Sequence, residues 1–226
     1  MRMEAKAIAA ALGHPRHDGL SPLSMEMGGA AVDLHTIGIR GVRLPLPSLA
    51  ESSILILAGL GGAIDPSLRI GDVVVHAPAG LVPDELPWRR GPICSAHQLI
   101  STPADKAGLF ATTGALAVDM ESDVVRKAAA EQDVPCIAIR TISDTADEAI
   151  DPAVMSFVDD LGRPRLGAVA SGLLRRPGLL RDLSHLAKNS KLASQRLGEA
   201  VRQLLSDEQF IHRCLSVFDA GTGNAS

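Results

Sequence analysis

The sequence predicts an α/β fold, a central sheet flanked by helices, and a few stretches carry that reading. Val134-Pro-Cys-Ile-Ala-Ile139 is a short apolar run of the kind a buried strand needs, and Glu121 to Glu131 before it has helical character. Leu116-Ala-Val-Asp-Met-Glu-Ser122 and Ile139-Arg-Thr-Ile-Ser-Asp-Thr-Ala-Asp147 are each an apolar run that ends abruptly in a carboxylate. In an open α/β sheet, ligands bind beyond the carboxyl ends of the strands, which puts Glu121 and Asp144 at one rim. Two acids at the mouth of one crevice suggest a site.

The other elements follow in chain order. Glu4 to Leu12 is alanine-rich and helical, and Gly13-His-Pro15 stops it. Residues 13–31 are rich in Gly, Pro, Ser and His and read as loop. Leu34 to Ile39 and Ser53 to Ala58 are expected strands, with Pro45 and Pro47 preventing a regular helix between them. Asp72 to His76 is another strand, entered from a turn at Pro66-Ser-Leu-Arg-Ile-Gly71. Pro78 to Pro92 holds four prolines and the one tryptophan, and reads as a surface loop or lid. Ser101 or Thr102 can cap a short helix through Phe110, with Pro103 suited to its first turn. Beyond Asp151, Leu166–Leu174, Gly178–Leu186 and Ser190–Leu205 read as helices and the remainder as a tail. No repeat or linker divides the 226 residues, so a single domain over 1–226 is expected.

Composition excludes several functions. Hydrophobic residues make up 46%, but no run approaches the ~20 apolar residues of a membrane span. The start, Met1-Arg-Met-Glu-Ala-Lys6, does not have the pattern of a secretory signal. Cys94, Cys136 and Cys214 form no Cys-x-x-Cys pair, which suggests a reducing cytoplasm and no metal framework. The histidines (His14, His17, His35, His76, His97, His185 and His212) show no metal spacing, so no cofactor or metal is expected. A net charge of −4 argues against nucleic-acid binding, and 2% aromatics with no tyrosine leaves no stacking platform for single strands. A purine site here would grip its base with aliphatic side chains and backbone groups. The arginines between Arg175 and Arg202 are a solvated helix face, with an anionic-lipid surface as the minor alternative.

Three stretches together resemble the nucleoside phosphorylase and methylthioadenosine/adenosylhomocysteine nucleosidase superfamily. They are Gly59-Leu-Gly-Gly-Ala-Ile-Asp-Pro-Ser-Leu-Arg-Ile-Gly-Asp-Val-Val74, Ala117-Val-Asp-Met-Glu-Ser122, and Val134-Pro through Ile142-Ser-Asp-Thr-Ala-Asp147. They stand in the family's order and spacing. Thr102-Pro-Ala-Asp-Lys106 and Leu173-Leu-Arg-Arg-Pro-Gly178 look most like its hopanoid-associated phosphorylase branch. The resemblance implies a mixed, twisted central sheet flanked by helices. It also implies cleavage of a purine nucleoside of the 5′-modified adenosine type, without metal or cofactor, by a homodimer. Two departures stand out. The family's buried first strand is missing before Met1, and the segment between the first helix and Ser53 is short.

Breaking a purine–ribose bond passes through an oxocarbenium-like sugar and a departing purine anion, so it needs an acid at the base and a delivered nucleophile. The resemblance makes Asp144 that acid, a role for a carboxyl raised by partial desolvation. Ser143 or Asp144 capping a helix is the plainer reading. Glu121 would clamp the ribose hydroxyls and steady positive charge on the ring, with Met120 against the sugar; acids here would also favour a helix N-terminus. Glu4 falls where the family orients or deprotonates water, or is a solvated glutamate at a helix start. Gly59, Leu60 and the glycines after them would bring backbone amides to a ligand, or simply turn the chain. Leu57 and Leu60 stand where hexameric phosphorylases carry a phosphate-binding arginine and serine, which points to water as nucleophile. The alternatives are a true phosphorylase using Arg40 or Arg43, and an inactive relative that binds nucleosides or only assembles. Leu99 and Ile100 fall where the family lines its purine pocket, or are plain core.

Overall fold

The computed structural model describes residues 1–41, 54–159, 165, 167, 169, 171–172 and 179–214. Helix α1 (Arg2–Ala11) is followed by a hairpin, β1 (Leu23–Met27) and β2 (Ala30–Leu34). The chain then supplies β3 (Leu55–Ala63), β4 (Val73–His76), β5 (Arg89–Arg90), β6 (Ile93–Ser95), α2 (Pro103–Thr113), β7 (Ala117–Asp119), α3 (Ser122–Ala130) and β8 (Cys136–Asp144). A 3₁₀ turn at Pro152–Phe157 and the long α4 (Leu179–Leu205) complete the described elements.

Six strands form one mixed sheet in the order β5-β4-β8-β3-β7-β6. β3 and β8 run parallel at its centre, while β4 and β7 flank them antiparallel. The α/β class and the mixed, helix-flanked sheet read from the sequence are therefore present. On β8 the period of two splits the side chains cleanly. Ile137 and Ile139 join Ile8 of α1 and Leu197, Val201 and Leu204 of α4 in one core. Ala138 and Ile142 face the other way, with Ala63, Leu68, Val74, Ile93 and Ala117. Fully burying an aliphatic side chain of this size stabilises by about 1.5–3 kcal/mol, so the first core is what holds α1 and α4 on the sheet. The two helices touch through Gly198, where an added Cβ would lie 2.6 Å from Ala7 O.

Several elements depart from the sequence reading. Residues 13–31 are not all loop, because Leu23-Ser-Met-Glu-Met27 and Ala30-Ala-Val-Asp-Leu34 alternate in exposure and pair Met27 with Ala30. Gly28 and Gly29 between them have φ of 57° and 81°, the left-handed pair that a tight hairpin demands. Leu34 to Ile39 is therefore not a strand; it is the hairpin's end and the approach to a 3₁₀ turn at Ile39–Gly41. The Pro78–Pro92 segment is not a surface lid, since Leu81, Val82, Leu86 and Trp88 are buried in the first core. The two helices expected over 178–186 and 190–205 are one, because nothing between them breaks the helical pattern. Most of the helix expected over Leu166–Leu174, the tail, and the Pro45–Pro47 stretch lie outside the described residues. Among the described residues, no helix is long and apolar enough to cross a membrane.

Candidate active site

The central strands β3 and β8 end side by side, pairing Gly62 with Asp144 across an irregular step in the ladder at Gly61/Gly62. β7 arrives antiparallel on the other side of β3 and sets Val118 opposite Gly62. A crevice opens where these ends meet, lined by Gly62, Gln98, Leu99, Ile100, Val118, Asp119, Met120 and Asp144. Glycine at 62 is required by that meeting. A Cβ there would fall 2.8 Å from Asp144 Oδ2.

Beneath the crevice is a buried ion pair. Arg140, 1% exposed, projects from β8 and donates Nε to Asp119 Oδ2 at 2.6 Å, with Nη2 on the same carboxylate. Its Nη1 reaches Leu57 O at 3.3 Å and Ile139 O at 3.2 Å. Asp119 also accepts from Ser95 Oγ at 2.7 Å, Ser122 N at 3.1 Å and Ser122 Oγ. Burial alone would push the Asp119 carboxyl up, but Arg140 and these hydroxyl and amide donors hold it below the ordinary aspartate range. With its oxygens so occupied, Asp119 is a structural anchor. It fixes the tight turn that presents Met120 and Glu121 and starts α3.

Space for the guanidinium comes from β3. A Cβ on Gly59 would meet Arg140 Nη1 at 3.0 Å, and one on Gly61 would meet Arg140 Cβ at 3.3 Å. These glycines accommodate an arginine from the neighbouring strand, and neither Gly59 nor Leu60 is among the residues that line the crevice. The Leu60 amide already has a partner. It donates to Glu4 Oε1 at 2.9 Å.

Glu4 is thus buried, 4% exposed, and tied to β3 from the first turn of α1, with the Met1 amine on its other oxygen. It is not a solvated helix-start residue. Asp144, also buried, has Ser143 Oγ on Oδ1 at 2.9 Å and Lys106 Nζ on Oδ2 at 2.7 Å. The role expected of this carboxyl asked for partial desolvation; it is buried, and a lysine of α2 reaches it. Thr102 caps that helix by accepting from Asp105 N at 3.1 Å, and Pro103 opens it, as the sequence implied.

Of the residues singled out from sequence, Asp144, Met120, Leu99 and Ile100 share the crevice. Ser143 supports Asp144 from behind, and Glu121, half-buried, follows Met120 with its amide on Asp119 Oδ1 at 3.3 Å. Glu4 reaches from α1 to β3 at Gly59 and Leu60, and Gly59 is about 10 Å along the strand from Gly62 at the usual rise per strand residue. Leu57 is buried, and Leu60 is half-buried. Arg43 lies outside the described residues. Sequence reasoning missed Arg140, Asp119 and Lys106 as site residues. A charge inside the apolar run Ile137-Ala-Ile-Arg-Thr-Ile142 was the available signal, since a buried arginine demands a buried partner. Among the described residues no three His, Cys, Asp or Glu side chains converge as metal ligands would.

The family model of the phosphorylase superfamily matches residues 79–175. No curated protein matches the chain. Among solved structures, futalosine hydrolase of Helicobacter pylori superposes with a TM-score of 0.51 at 15% identity, covering 96% of this chain and 94% of that one. The 5′-methylthioadenosine/S-adenosylhomocysteine nucleosidase of Helicobacter pylori, with butyl-thio-DADMe-Immucillin-A, gives 0.52 at 16% identity, covering 96% and 95%. A nucleosidase of this type from Chlamydia trachomatis bound to MTA gives 0.54 at 19%, covering 88% and 89%. The centre of the chain is thus similar to the phosphorylase superfamily, and the chain shares the fold of these nucleosidases over nearly its whole length.

Proposed function

We propose that this chain cleaves the N-glycosidic bond of a purine nucleoside, a 5′-modified adenosine such as methylthioadenosine or adenosylhomocysteine, with water as the nucleophile. The observation that carries the reading is the meeting of Asp144, Met120, Leu99 and Ile100, from separate stretches of sequence, in one crevice at the ends of the central strands. Asp144 faces the leaving base, Leu99 and Ile100 grip its faces, Met120 packs on the sugar, and Glu121 takes the ribose hydroxyls. Glu4 orients and deprotonates the water. Neighbouring folds whose names or ligands are nucleosides support the substrate class.

Water is favoured over phosphate by what surrounds Glu4. A phosphate beside the sugar needs charged forks or several free amides. Here the Leu60 amide is spent on the Glu4 carboxylate, whose charge repels an oxyanion, and the leucine side chains at 57 and 60 donate nothing. Burying a phosphate against them would be costly. The test is incubation with 5′-substituted adenosines with and without phosphate, assaying free adenine and weighing the sugar product. Ribose-1-phosphate derivatives formed only in phosphate would overturn hydrolysis. No adenine from any substrate would overturn the function. We also infer a homodimer. The Leu44-Pro-Leu-Pro-Ser-Leu49 stretch that motivated it lies outside the described residues, and light scattering that reports a monomer at micromolar concentration would sink it.

A further inference from the structure

Lys106 is fully buried, and a buried lysine is among the rarest residues in a folded chain unless something specific holds its charge. Its Nζ donates to Asp144 Oδ2 at 2.7 Å, Thr145 O at 2.6 Å and Glu148 O at 3.1 Å. An ammonium has three donors and no acceptor, so this cage fits the charged form with every proton placed. A neutral amine would turn a lone pair towards one of these oxygens. The α2 helix therefore delivers an ammonium group to the Asp144 carboxyl, which borders the crevice at the end of β8.

We propose that Lys106 is a positioning residue that keeps Asp144 an anion in the empty site and supplies the proton the departing base takes. The inference rests on the glycosidic cleavage proposed above and assigns the source of its proton. As the C1′–N bond breaks, its electron pair stays on the purine. The Lys106 proton passes to Asp144, and the carboxyl so formed gives it to the purine nitrogen. The base leaves neutral, Asp144 returns to carboxylate, and Lys106 is left as an amine. The attacking water loses its proton to Glu4. Exchange with solvent then restores both groups.

Other ionisable groups near this pair must be separated from it. Glu148 carries its side chain on Thr145 N and faces His185 of α4 at 3.7 Å. Asp147 accepts from Thr145 Oγ1, feels Lys106 and Arg69, and is held below the usual aspartate range chiefly by that hydroxyl. Asp105, on Lys106's own helix, is bonded to Thr102.

The experiment compares a purine nucleoside with 4-nitrophenyl riboside, whose leaving group departs as a stable anion and needs no proton. Lys106→Met should lose about 10²-fold or more in kcat/KM on the nucleoside, the scale of a lost general acid, and hold near the unsubstituted rate on the nitrophenyl riboside. Equal losses on both would make Lys106 merely structural and overturn the proposal, as would an undiminished rate on the nucleoside. Lys106→Arg decides independently if Lys106→Met does not fold or the nitrophenyl riboside is not turned over, because its guanidinium keeps a cation beside Asp144 but does not give up a proton. The rate on the nucleoside should still fall about 10²-fold in Lys106→Arg. A near-normal nucleoside rate in that variant would mean Asp144 carries its own proton and would refute the relay while leaving the glycosidic reaction standing. An unsubstituted chain that cleaves neither substrate overturns both.

Discussion

Asp119→Asn tests whether the floor of the crevice is held by one buried charge pair. The substitution keeps the shape of the side chain but removes the anion that Arg140 Nε meets at 2.6 Å. Arg140 is 1% exposed and cannot swing into water, and its remaining partners are the carbonyls of Leu57 and Ile139 and the Ser122 hydroxyl at 3.4 Å. The new amide also points a donor either towards the guanidinium, which cannot accept it, or onto the Ser122 hydroxyl in competition with Arg140 Nη2. Removing one partner of a buried pair typically costs about 3–5 kcal/mol, because the other charge is left uncompensated. For a chain of this size that corresponds to a fall in Tm on the order of 10 °C. Urea unfolding at neutral pH would show it as a lower midpoint at unchanged slope. The companion measurement is acidification of the unsubstituted chain. A carboxyl held low in the fold adds stability that is present above its unfolded value, about 3.9, and is lost as pH falls through its lower folded value. Asp119→Asn should lack that acid-side loss. A cost below about 1 kcal/mol would place the pair among weakly contributing ion pairs and refute the reasoning.

Three further outcomes are expected. Burial, and then the Arg126 guanidinium that approaches Nδ1 at 2.7 Å, hold the His76 imidazole below its ordinary value; stability present above about 6.5 should therefore be lost as pH falls below it, and His76→Gln should flatten that part of a Tm-against-pH curve. Gly198→Val should destabilise by about 1–3 kcal/mol in denaturant unfolding, since the added Cβ would lie 2.6 Å from the Ala7 carbonyl, and an unchanged midpoint would show that α1 and α4 yield freely. Asp144→Asn should lower turnover about 10²–10⁴-fold while nucleoside binding survives, whereas Glu121→Gln should weaken KM and rate together; an unaffected KM would remove Glu121 from the ribose.

The sheet was legible where burial is simplest. Strands β4 and β8 and helix α3 follow apolar runs whose neighbours agree with them, and the Thr102-Pro103 cap announces α2. The β1–β2 hairpin was just as clearly written, as alternation on both sides of Gly28-Gly29, but the surrounding Gly, Pro and Ser content masked it. Proline density misled at 78–92. Proline bars regular hydrogen bonding, yet it does not prevent Leu81, Val82, Leu86 and Trp88 from filling a core. In the site, crevice residues such as Asp144 and Met120 could be found because they end apolar runs. Their supports could not, because Lys106 meets Asp144 across 38 positions and Arg140 meets Asp119 across 21. Pairings at such separations are set by the fold and leave no local periodicity.

The same two supports explain why the crevice can be so apolar. Leu99, Ile100, Val118 and Met120 leave Asp144 and Gln98 as its main polar contacts, and the aromatic side chains that would ordinarily clasp a base are scarce. Trp88 is committed to the core with α4, and Phe110 packs against the cluster of Ile64, Ala115 and Val118. An aliphatic slot binds any flat ring of the right thickness and discriminates weakly, by about 1–3 kcal/mol for a missing methylene. In the proposed reaction, selection among bases falls to the polar end of the slot, and a carboxylate there accepts a hydrogen bond from a ring or amino N–H and repels a carbonyl oxygen. Under the proposed relay, Lys106 would keep Asp144 charged until the bond breaks and so set that preference as well as the proton supply. Adenine-type bases, with an amino group and no 6-oxygen, suit such an end better than hypoxanthine- or guanine-type bases do. Competition between adenosine and inosine analogues for cleavage measures this directly, and an inosine preference would mean that Asp144 meets the base as a neutral acid.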